Sequence, residues 1–206
     1  MDIIKDPREI EKKSMLIIEE NLPQLQNFEE RERQIVKRVI HTTGDLDCVS
    51  LVKISPGAVE AGLEAIRKGN GILTDVNMLK SGLIGDRMAR FGVQSHCLIS
   101  DPGVVEEARE TGMTRAMIAI RKGAALADNG IVAIGNAPTA LFELLKMIRE
   151  GQARPALVVG TPVGFVGAAE SKEMLMETGI NYITMPGTRG GSTIAASIVN
   201  ALLLQA

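Results

Sequence analysis

Histidine is scarce in this chain, and one copy stands where a proton donor would be useful. Only His41 and His96 occur among the 206 residues, so a group that trades protons near neutral pH has few candidates. His41 ends the helical pattern Phe28 to His41, just before Thr42-Thr43-Gly44. The negative end of a helix favours a cation, which suits a general acid. Arg38 lies three residues earlier and Gln34 one turn further back, so the three share a helix face. A histidine that merely caps its helix carries the same signature, and the spacing leaves both readings open.

Other residues suit the binding of anions. Gly190, Gly191 and Ser192 open an apolar helix, and oriented N–H groups at such a start favour a carboxylate. A tight turn without a ligand would look the same. Thr114 and Arg115 stand at the entrance to another apolar helix, where the guanidinium fork could grip a carboxylate or simply be solvated. Ser14 interrupts the stripe formed by Ile10 and Ile17. His96 and Cys97 fall on opposite faces of a strand, and His96 reads as a structural residue. Glu170-Ser171-Lys172 reads as a solvated first helical turn.

Several chemistries fit poorly. The glycines Gly160, Gly164 and Gly167 do not have the G-x-G-x-x-G spacing of a dinucleotide site, and Gly187 to Ser192 lacks a P-loop lysine. No His/Cys/Asp cluster has metal-ligand spacing, and no nucleophile–base pair is apparent. The expected enzyme works by proton transfer and positioning, without metal or cofactor. A net charge of −2 and an aromatic content of 2% argue against nucleic-acid binding. The most apolar run, Thr193 to Leu204, is too short to span a bilayer. The charged start MDIIKDPREIEKK has no signal-peptide pattern, so a cytoplasmic location is expected. Cys48 and Cys97 read as small buried hydrophobes.

These side chains must be positioned by strands alternating with helices. IVAIGNAPTALFELL, ALVVGTPVGFVGAAESKEML and YITMPGTRGGSTIAASIV each run strand, Gly/Pro loop, helix. Such alternation implies a parallel sheet, with ligands received outside the carboxyl ends of its strands. Three glycine-bearing loops gather at that edge: Gly135 to Pro138, Gly160 to Gly167, and Gly187 to Ser192. Further strands are expected at Gly71 to Thr74, at Val93 to Ile99 and over Asp47 to Ile54. Helices are expected from Asp6-Pro7, from Ser55-Pro56 to Gly69, from Asp101-Pro102 to Glu110, and over Arg115 to Ala127. The α/β pattern thus predicts one domain over 1–206, a three-layer α/β/α fold with a Rossmann-like, mostly parallel sheet of about five strands. The alanine- and leucine-rich faces of Ile118 to Ala127 and Ser192 to Leu204 exceed what one small domain usually hides, which predicts a homodimer.

The segments IGNAPTALFELL, PALVVGTPVGFVGAAESKE, GTRGGS and VIHTTGD closely resemble the precorrin-8X methylmutases of cobalamin biosynthesis. The resemblance runs from DPREIEKKS to the final helix. It implies an α/β/α homodimer with active sites near the subunit interface. It also implies an isomerase that moves a methyl group from C11 to C12 of a tetrapyrrole, precorrin-8X or cobalt-precorrin-8, giving hydrogenobyrinate or cobyrinate. His41 matches the family's proton donor, Ser14 and Arg38 match substrate contacts, and Arg115 matches a pocket position. Two other classes remain, a non-catalytic corrinoid-binding protein and a nucleotide-dependent α/β enzyme. Retention of His41 speaks against the first and the glycine spacing against the second.

Overall fold

A computed structural model describes residues 4–206. Six strands form one sheet: β1 (Lys53–Ile54), β2 (Ile72–Thr74), β3 (Ser95–His96), β4 (Ile131–Ile134), β5 (Leu157–Gly160) and β6 (Tyr182–Thr184). Their order is β1-β6-β5-β4-β2-β3. Every pair is parallel except β1 with β6, where Lys53 faces Thr184 and Ile54 faces Ile183. The expected count of about five parallel strands becomes five plus one short antiparallel edge strand.

Helices cover both faces. They are α1 (Pro7–Asn21), α2 (Glu30–Thr43), α3 (Cys48–Leu51), α4 (Ala58–Arg67), α5 (Asn77–Ser81), α6 (Gly85–Arg90), α7 (Pro102–Thr111), α8 (Arg115–Gly123), α9 (Pro138–Arg149), α10 (Ala168–Met176) and α11 (Ser192–Gln205). The strand alternation divides the core. Ile72, Ile131, Ala133, Leu157, Val159 and Ile183 pack against α2, α4 and α11. Leu73, Val132, Ile134 and Val158 pack on the other side against α8, α9 and α10. Both faces of each inner strand are therefore buried, as a parallel sheet requires.

Local chemistry accounts for the boundaries. Asp6 caps α1 by accepting from Arg8 N at 2.8 Å, with Pro7 in the first turn. On α2, Ile35, Val36, Val39 and Ile40 are buried as the periodicity predicts, and a capping box of Glu29 and Glu32 starts the helix. Four expectations need correction. The strand over Asp47 to Ile54 is instead the single turn α3 followed by β1. There Asp45 Oδ1 accepts from Asp47 N at 2.9 Å, forming a side-chain turn that competes with extended backbone. Ser55 to Gly57 does not open a helix. It is a turn in which Ser55 O accepts from Ala58 N and Gly57 has φ 81°, the conformation glycine favours after proline. The strand over Val93 to Ile99 shrinks to the edge pair Ser95–His96, and α8 passes into a 3-10 turn at Ala124–Ala127.

The apolar surfaces also differ from expectation. Ile118, Ala119, Ile120 and nearly all of Ile194 to Leu203 are buried within the chain itself. Exposed apolar side chains lie instead on α1, where Ile10, Leu16 and Ile17 are 46–48% exposed, and in the loop after β5, where Val163, Phe165 and Val166 are exposed. The stripe of Ile10, Ser14 and Ile17 thus faces outward, and Ile18 is the residue that enters the core. No helix among the described residues is long and apolar enough to cross a membrane.

Candidate active site

His41 reaches the carboxyl edge of the sheet because α2 runs antiparallel to α11. At one end of the pair, Gln205 Nε2 donates to Arg31 O. At the other, His41 and Ser192 line the same cavity of about 310 Å³, together with Arg38, Met78 and Thr193. A neighbouring cavity of about 270 Å³ is lined by Met15, Gln34, Arg38 and Leu204. Arg38 and Leu204 border both, so the two form one groove along α2. Gln34, Arg38 and His41 share that face, as their spacing predicted. The end of α2 is closed by others: Gly44 N donates to Ile40 O, and Thr43 Oγ1 donates to Val39 O at 3.0 Å. The cap is therefore made without His41, whose exposed imidazole has no hydrogen-bond partner among the described residues.

Arg38 forms a 2.6 Å ion pair with Glu11 of α1. Ser14 lies one turn beyond Glu11 on the same side of α1 and is half-buried.

The loop from β6 to α11 is fixed at several points. Arg189 Nη1 pairs with Asp45 Oδ2 at 2.7 Å, which ties this loop to the turn after His41. A Cβ on Gly190 would lie 2.2 Å from Thr161 O, so only glycine fits there. Gly191 N donates to Thr161 O at 2.8 Å and is not free for a ligand. The amides left for an anion are those of the first turn, Ser192 to Ile194, which lack intrahelical acceptors.

The loop after β4 proves to be filled. The buried carboxylate of Asp75 accepts from Gly135 N, Asn136 N and Ala137 N at 3.1, 2.8 and 2.8 Å. Burial holds its pKa above the ordinary carboxylate value, and these three donors offset only part of that rise. The protein's own anion thus occupies the α9 start, and that loop receives no ligand carboxylate. No local pattern marks Asp75 for this role, because its partners lie some sixty residues away.

Thr114 and Arg115 stand on the opposite face of the sheet from His41, at the start of α8. Thr114 Oγ1 caps α8 by accepting from Met117 N at 3.2 Å and shares a 3.0 Å hydrogen bond with Thr139 Oγ1 of α9. Arg115 is exposed. Within one chain these two residues do not join the His41 groove. In the loop after β5, Phe165 and Val166 are 94% and 88% exposed. His96 sits half-buried on β3, its carbonyl accepting from Thr74 Oγ1 at 3.1 Å. The Glu170-Ser171-Lys172 turn is not solvated: Ser171 and Lys172 are fully buried.

Fold and site together define a three-layer α/β protein whose lone groove-facing imidazole lies beside an arginine and a helix start. The precorrin-8X methylmutase family model matches residues 9–205. The chain is 44% identical to a cobalt-precorrin-8 methylmutase of Leptospira interrogans, covering 96% of this chain and 93% of that one. It is 41% identical to a precorrin-8X methylmutase of Pseudomonas aeruginosa, covering 98% and 97%. The solved precorrin-8X methyl mutase of Thermus thermophilus superposes with a TM-score of 0.88 at 42% identity, covering 96% of this chain and 95% of that one. This chain belongs to the precorrin-8X methylmutase family, and it is an isomerase of cobalamin biosynthesis.

Proposed function

We propose that this chain moves a methyl group from C11 to C12 of precorrin-8X or cobalt-precorrin-8, with His41 as the proton donor. One observation carries the reading: in a chain of this family, an imidazole not used as a helix cap lines a groove with Arg38 and the start of α11. A 1,5-sigmatropic methyl shift needs electron density drawn through the conjugated ring. Protonation of a ring nitrogen by His41 would do this and lower the barrier, and such acid catalysis is typically worth about 100- to 10,000-fold. The substrate's acetate and propionate arms suit Arg38, Ser14 and the first-turn amides of α11. Holding the macrocycle by its periphery leaves the reacting carbons beside Met78, Ile84 and Leu204 of the groove.

The same reading makes the active unit a homodimer. Helix α1, whose Met15 lines the groove, presents exposed aliphatic side chains that supply a contact surface. A second subunit also gives Arg115 and Thr114 a way to approach a ligand that they do not reach in one chain. Cys48 and Cys97 are unpaired, which fits a reducing compartment such as the cytoplasm. Incubation with precorrin-8X and, separately, with cobalt-precorrin-8 while recording the visible spectrum tests the assignment. Conversion of either form is expected. Tight binding without spectral conversion would make the chain a corrinoid carrier instead.

A further inference from the structure

Lys172 is the largest fully buried side chain among the described residues, with 0% exposure. Its Nζ donates to one acceptor, the carbonyl of Arg189, at 2.7 Å. It has no ion-pair partner among the described residues. The charged groups of the elements around it are engaged elsewhere or exposed. Arg189 turns its guanidinium to Asp45, Glu143 of α9 takes Arg121, Lys146 lies by Glu150, and Glu170 and Glu173 are exposed. Burial pushes the ammonium down to about 8. An uncompensated buried cation weakens a fold, and an apolar side chain of similar volume would pack there without that cost.

The bond crosses the carboxyl edge of the sheet. α10 lies on the face of α8 and α9, whereas the Arg189 loop leads into α11 on the face of α2. Arg189 is thereby held at both ends, its carbonyl by Lys172 and its guanidinium by Asp45 in the turn after His41. Gly190 then rests on the Thr161 and Pro162 carbonyls, and Ser192 enters the groove beside His41. We infer that Lys172 is a positioning residue for ligand binding: its ammonium fixes the Arg189–Ser192 segment so that the first turn of α11 meets the ligand's carboxylate. The inference rests on the proposed corrinoid reaction, through which that turn acquires an anionic ligand.

K172M tests it, because methionine keeps the volume and removes the donor. At pH 7 the variant should melt at or above the wild-type temperature. It should bind hydrogenobyrinate about tenfold more weakly, with KM raised by a similar factor and kcat changed by less than about threefold. In the wild type, affinity for hydrogenobyrinate should weaken as pH rises past about 8, since a charge-assisted bond is stronger than a neutral one. K172M should lack this step. A K172M that binds hydrogenobyrinate as tightly as wild type would overturn the inference. So would a variant that melts lower or fails to fold, since Lys172 would then be a structural residue. A wild-type affinity that is flat across pH 8 would overturn it without recourse to any variant. A wild-type protein that neither binds nor converts the corrinoid would instead sink the proposed function itself.

Discussion

His41 and Arg38 line one groove, yet they should fail in different ways when removed. His41→Ala should lower turnover by about two to four orders of magnitude and change affinity for the product much less, because a proton donor acts in the transition state. His41→Asn should be equally slow, since an amide cannot deliver a proton at neutral pH. Near-normal rearrangement by either variant would place the acid elsewhere. Arg38→Ala should weaken product binding by roughly 1.5–3 kcal/mol, the worth of a charge-assisted hydrogen bond, read by titration of the corrinoid's absorbance. Lys172 adds a stability signature. Its folded value near 8 lies below the ordinary 10.5, so the unfolded chain binds more protons between these limits, and its contribution to stability must rise with pH there. Denaturant titrations should detect that rise in the wild type and not in K172M.

At the level of elements, the carboxyl edge is assembled by a few polar anchors. Asp75 links the end of β2 to the start of α9 through three backbone donors. Asp75→Asn keeps the shape but turns one acceptor into a donor that faces those amides. It should lower stability by about 2–4 kcal/mol, measured by chemical denaturation, and an unchanged midpoint would mean the loop holds without it. Gly135 serves the same assembly, since a Cβ there would lie 2.6 Å from Ser192 Cα. The α9 loop and the α11 start therefore touch, and the Asp75 anchor bears on the groove through that contact.

For the whole molecule, the exposed apolar side chains mark the surface on which a second copy would dock. α8 and α11 spend their aliphatic faces inside the chain, while α1 presents Ile10, Leu16 and Ile17. Sedimentation at micromolar concentration should show a dimer of the 22.0 kDa chain. Ile10→Glu with Ile17→Glu should shift it toward monomer with little change in melting temperature, because neither side chain enters the core. A purely monomeric wild type would remove the second-subunit route by which Arg115 approaches the ligand.

Much of this was legible in the residues alone. The strand–glycine loop–helix units fix a parallel sheet, because aliphatic runs of four and amphipathic runs of ten or more have one economical arrangement. The shared face of Gln34, Arg38 and His41 follows from helical spacing alone. Short elements escape local pattern at Asp47 to Ile54, where a side-chain turn outweighs strand preference, and at Ser55 to Gly57, where a backbone turn with a positive-φ glycine delays the helix. Long-range pairings left no trace in local pattern. Asp75 gains its role from amides after β4, Arg189 from Asp45, and Lys172 from a carbonyl across the sheet edge. A buried lysine and a solvated one look identical in sequence, since burial depends on which distant segments close over the side chain. The sequence determined the layers and the helix face that His41 shares with Gln34 and Arg38. Only tertiary packing decided which charges are spent inside the protein and which remain for a ligand.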